Sequence, residues 1–122
     1  MVVFVYRKVT KDGEVILLPK LQLEVERTFP DHQQFISAVL SKYGMGNWKV
    51  VFYPHQRNKG LIAIPLELLF ISSHRRKEMI ITLYHEVIHY LHRDWGRNKE
   101  RQIDRMAVHW YVTGELPSPS PE

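Results

Sequence analysis

The segment from Arg76 to Leu91 constrains the fold more than any other stretch of this sequence. Ile80, Leu83, Tyr84, Val87, Ile88 and Leu91 recur at the i, i+3, i+4, i+7, i+8, i+11 spacing of an amphipathic helix. One side of that helix must lie against a core. The same segment carries His85-Glu86-Val87-Ile88-His89, an H-E-x-x-H pattern. At ~100° per residue its histidines stand ~40° apart on one face and about one turn apart along the axis. Imidazoles so placed can share one metal ion, and Glu86 beside them can act as a general base. Both histidines lie away from the centre of the apolar stripe, on a face that is exposed or lines a cleft. A solvated polar face is the blander reading, and seven histidines in 122 residues make a coincidental match easier.

The chain has no cysteine, so any metal must bind through His, Asp and Glu. Its length suits one domain, expected over residues 1–114, with a Pro-rich tail over 115–122. No window approaches the ~18 apolar residues of a membrane span. The opening Met1-Val2-Val3-Phe4-Val5-Tyr6 lacks the basic region and long apolar run of a signal peptide. A soluble, cytoplasmic protein is expected. The net charge of +4 permits a weak attraction to nucleic acid or anionic protein without establishing either. The run His74-Arg75-Arg76-Lys77 reads as a solvated helix start.

Around the central helix the patterns alternate between strand and helix. Val2 to Val9 and Glu14 to Leu18 read as strands about the turn Lys11-Asp12-Gly13. Leu21, Leu23 and Val25 alternate with polar residues, which predicts a further half-buried strand. Pro30-Asp31 opens a helix with Phe35, Ile36, Val39, Leu40 and Tyr43 on its apolar side, closed by Gly44 and Gly46. Trp48 to Tyr53 and Leu61 to Ile64 read as a hairpin, and Pro65 begins a short helical turn through Leu69. Ser72 or Ser73 is expected to cap the central helix. A last helix spans about Lys99 to Thr113, with Ile103, Met106, Ala107, Trp110 and Tyr111 as its stripe and Gly114 as its stop. At helical spacing, Trp110 and Tyr43 fit core packing and Trp95 a turn better than a nucleic-acid stacking set.

A catalytic zinc takes three protein ligands and keeps one position open. His92 lies ~10 Å along the helix from His85 and cannot converge with it on one ion. The extended pattern H-E-x-x-H-x-x-G-x-x-H fails, because His92 and Trp95 stand where Gly and His are required. His109 faces away from Glu100 on the last helix. Glu100 is the best third ligand, since a short turn after Leu91 lets the next helix fold back over His85 and His89. Asp104 follows one turn later on the same face and can accept the far N–H of a ligating imidazole.

H-E-x-x-H followed on the next helix by Glu100-x-x-x-Asp104 resembles the gluzincin metallopeptidases. The chain is most similar to their small soluble members, the ImmA/IrrE-type proteins and the minigluzincins. Gly60-Leu61-Ile62-Ala63-Ile64 resembles the family's cleft-edge strand, and Gln102-Ile103-Asp104-Arg105-Met106-Ala107 its glutamate-helix segment, with Gln102 and Ile103 as departures. The resemblance covers about Trp48 to Val112. One departure is Glu100, where minigluzincins use a histidine. The resemblance implies a zinc-dependent endopeptidase with one Zn2+ per chain, held by His85, His89 and Glu100 and supported by Asp104. Glu86 would be the general base for a metal-activated water, and Leu61, Ile62, Ala63 and Ile64 would hold the peptide or protein substrate. It also implies a tail, residues 115–122, able to block the cleft through Glu122 or self-associate. Another divalent ion that tolerates two imidazoles and a carboxylate stays open. His74, Tyr90 and Arg97 are candidates for stabilising an oxyanion. The rival is a non-catalytic regulatory or nucleic-acid-binding module that retains a metal site.

The fold class expected is α+β. A small mixed sheet packs against a backing helix and the H-E-x-x-H helix, with the glutamate helix beside them.

Overall fold

A computed structural model describes residues 1–118, apart from the side chain of Arg97. The strands are Val3–Val9 (β1), Val15–Leu17 (β2), Lys49–Tyr53 (β3), Gly60–Ala63 (β4) and Leu68–Ser72 (β5). The helices are Pro19–Thr28 (α1), His32–Lys42 (α2), Arg76–Leu91 (α3) and Glu100–Thr113 (α4). The architecture is the expected α+β, with one mixed sheet in the order β2-β1-β3-β5-β4. β1, β3 and β5 run parallel, while β2 and β4 close the two edges antiparallel.

One face of the sheet builds the core. Tyr6, Val50, Phe52, Leu69 and Ile71 alternate toward the helices and meet Val25, Ile36, Leu40, Leu83 and Val87. Val3, Val9, Val15, Leu17 and Leu61 stay exposed. α3 lies against β4 and β5 on one side and α4 on the other. That position follows from its stripe, for Ile80, Leu83, Tyr84, Val87 and Ile88 are all buried.

Five expectations are corrected. Leu21 to Val25 is helix, not strand. Pro19 occupies the first turn, where its missing N–H costs nothing. Leu21 and Val25, four apart, satisfy both periods, and Leu23, which only the strand period would bury, is 59 % exposed. β4 does not pair with β3, because β5 lies between them. The hairpin is β4–β5, with Gly60 opposite Ile71 and Ala63 opposite Leu68. Its turn contains the short helical segment Ile64–Leu66 and Glu67 at φ 53°, so Ile64 belongs to the turn rather than the strand. The expected helical turn at Pro65 is present but ends at Leu66, and β5, Leu68-Leu69-Phe70-Ile71-Ser72, takes the span expected to continue it to Leu69. Finally, neither serine caps α3. Ser72 ends β5, and the N-cap is Arg75, with no side-chain bond to the helix.

Candidate metal centre

α4 folds back along α3, and a register of side chains fixes the pair. Tyr84 stacks on Trp110 at 3.9 Å with the rings nearly parallel. Closer to the connection His85 meets Asp104, and one turn further along both helices His89 meets Glu100. The apolar halves of both helices thus set the phase that brings the polar halves together. Trp95 lies in the connection, stacked on His92 at 3.9 Å.

His85 Nδ1 donates to Asp104 Oδ1 at 2.8 Å, which places the imidazole proton there and leaves a lone pair on Nε2. That nitrogen stands 3.0 Å from His89 Nε2 and 2.8 Å from Glu100 Oε1. His89 Nε2 in turn is 3.1 Å from Glu100 Oε2 and 3.4 Å from Oε1. Two ring nitrogens and a carboxylate thus converge on one point, the arrangement of ligand atoms that a shared cation takes. Ligand atoms ~2.0–2.1 Å from a tetrahedral zinc stand ~3.3 Å apart. The observed separations bracket that value, so the donor set fits zinc. His85, Glu86 and His89 form one candidate ligand group, and His85, Glu100 and Asp104 another.

Glu86 differs from the other carboxylates. Its Oε1 is 3.8 Å from His85 Nε2, outside hydrogen-bonding distance. Its side chain is only 8 % exposed, against 53 % for Glu100 and 62 % for Asp104. Burial, and then the charge of Glu100, push the Glu86 carboxyl up to about 8. The cover comes from Gly60. A Cβ on Gly60 would collide with Thr82 Cγ2, approach the Phe70 carbonyl to 3.0 Å and sit 3.7 Å from Glu86 Cγ. The β4 backbone therefore rests directly on the helix at Thr82 and Glu86. The sequence signal for this contact was a lone glycine at the head of a strand.

The remaining candidates separate cleanly. β4 is the sheet's edge, so Leu61, Ile62 and Ala63 lie on a strand with one side unpaired within the sheet. Tyr90 stacks edge-on against Trp48, and His74 packs beside His55, 3.9 Å between ring centres. Among the described residues, His74 is not one of the groups gathered with His85 and His89. The Arg97 side chain lies outside the described residues. Trp110 is buried between Tyr84 and Tyr43, as core packing requires. Tyr111 is a partly buried neighbour of the core. His109 is exposed on α4. The tail begins after Gly114 at φ 78°, and Leu116 packs against the core near Tyr43 and Trp110. Glu122, the expected plug for the cleft, lies outside the described residues.

Compared with known families, curated proteins and solved structures, the chain matches no family model, no curated protein and no solved structure.

Proposed function

We propose that the protein is a zinc-dependent endopeptidase acting on peptide or protein substrates in the cytoplasm. The observation that carries the reading is the convergence of His85 Nε2, His89 Nε2 and the Glu100 carboxylate within 2.8–3.4 Å, beside a buried carboxylate outside that triangle. Zinc, when bound, supplies Lewis acidity that makes water acidic near neutral pH and polarises a carbonyl. Glu86 receives the water proton and delivers it to the departing amine. Asp104 holds the His85 proton on Nδ1, keeping Nε2 free to ligate. The unpaired edge of β4 binds the substrate backbone through main-chain hydrogen bonds. A purely structural site has no use for a buried general base. For the setting, the chain has no cysteine, and no helix among the described residues is long and apolar enough to cross a membrane.

The test is hydrolysis of a denatured protein by wild type and by Glu86→Gln, with metal content measured on the same samples. Chains truncated after Gly114 are assayed in parallel, because a tail in the cleft would mask activity. Wild type should carry close to one zinc, which Glu86→Gln keeps and His85→Ala or Glu100→Ala loses. Loss of the general base should cost about 10²–10⁴-fold in rate. Equal rates in wild type and Glu86→Gln, or none in any zinc-loaded form, would favour a non-catalytic module.

A further inference from the structure

A second polar feature lies at the head of α3, apart from the ligand triangle. A cavity of about 670 Å³ opens between the end of α1, the start of α3 and the loop joining β3 to β4. Arg27, Arg57, Lys59 and Arg75 line it, with the paired rings of His55 and His74. Two carboxylates, Glu24 and Glu78, face four permanent cations there. Among the described residues, none of these four cations lies within ion-pairing distance of a carboxylate. In the cavity wall, His74 Nε2 and Glu78 Oε2 are sealed from solvent and lack a hydrogen-bond partner. Buried polar atoms are nearly always paired; of these two, the His74 ring nitrogen is the one that can donate to an anionic ligand, while the Glu78 oxygen can only accept.

The cavity continues the edge that covers Glu86. Lys59 immediately precedes Gly60, whose backbone rests on Thr82 and Glu86. Glu78, in the cavity wall, precedes Glu86 by two turns of α3, a rise of ~12 Å. An extended peptide covers that span in three to four residues at ~3.3 Å each. Direction follows from β4, which runs from Gly60, over Glu86, away from the cavity toward Ala63. A peptide pairing antiparallel to it runs the other way. Its C-terminal portion therefore leaves β4 at Gly60 and enters the cavity.

We propose that this cationic cavity is a substrate subsite for a carboxylate carried three to four residues C-terminal to the bond that is broken. The inference rests on the endopeptidase reading above and names its substrate class as peptides acidic at that position. Arg57 and Lys59, both exposed, make the first contacts, and the cations of Arg27 and Arg75 complete the field.

The test measures binding without hydrolysis, using the zinc-loaded Glu86→Gln protein and two fluorescent peptides. The peptides differ only by Asp or Asn at the third and fourth positions after a central apolar pair. The acidic peptide should bind about tenfold more tightly, as a charge-assisted contact provides. The preference should shrink as salt is raised and vanish in the Arg57→Ala, Lys59→Ala double variant. Equal binding of both peptides, or a preference that survives the double variant, would overturn the subsite alone. Failure of either peptide to bind would overturn the endopeptidase reading and the subsite with it. Displacement of the acidic peptide by a single-stranded oligonucleotide at equal or lower concentration would reassign the cavity to nucleic acid.

Discussion

At the scale of single residues, the molecule treats its histidines in two opposite ways. His85 is held at a half-open surface with its lone pair directed at another histidine. His32 is 1 % exposed and closed inside a chain of hydrogen bonds. Its Nδ1–H donates to the Phe29 carbonyl at 3.0 Å, and Nε2 accepts from the Tyr6 hydroxyl, itself a partner of Gln33. Desolvation lowers the His32 pKa below its ordinary 6.5, outweighing the opposite pull of the Phe29 carbonyl, Glu26 and Asp31. The unfolded chain therefore takes up a proton that the native chain refuses. This contribution to stability is complete above pH 6.5 and is lost as pH falls from there toward the lowered native value. Thermal melts from pH 7.5 to 5 should show wild type losing its advantage over His32→Leu. A constant gap between the two would show that His32 takes up its proton alike in both states. Residues of this kind were only half legible in the sequence. His85, Glu86 and His89 stand out because five adjacent letters fix their geometry on a helix. His32 does not, since its partner Tyr6 lies 26 positions away on another element.

At the scale of elements, β4 and α3 meet through a glycine. Gly60→Ala places a methyl group against Thr82 Cγ2 and the Phe70 carbonyl. Overpacking of this kind costs about 1–3 kcal/mol and pushes the strand off the helix. Denaturant unfolding should show that loss, and the proposed hydrolysis should fall as the cover over Glu86 lifts. Thr82→Ser, which removes Cγ2, should recover part of both when combined with Gly60→Ala. A single variant as stable as wild type would mean that β4 yields freely. The elements were legible where one period stood alone. α3 and α4 carry long stripes that no strand could satisfy, and α2 lies between turn signals. α1 shows the opposite case, because two apolar residues four apart fit helix and strand alike. β5 is apolar at four successive positions, Leu68 to Ile71, and a run apolar on both faces prints no period in the sequence.

At the scale of the whole molecule, the α+β class could be read but the strand order could not. Order is decided by pairings such as Val3 with Lys49, which no local pattern announces. The triangle of His85, His89 and Glu100, the centre proposed to hold zinc, is the reverse case. Its members are 4, 11 and 15 positions apart, on neighbouring helices joined by a short connection. In terms of folding order this separates the centre from the sheet beneath it. Local contacts close with little loss of loop entropy, whereas parallel pairings across long stretches form slowly. The helix pair should therefore assemble while β1 is still seeking β3, and zinc should act on refolding more than on unfolding. Stopped-flow traces with zinc and with chelator check this directly. Faster refolding at an unchanged unfolding rate is expected, whereas slower unfolding alone would place closure of the centre last. In the first case the ion would serve the young chain as a nucleus before it served the finished protein as a reagent.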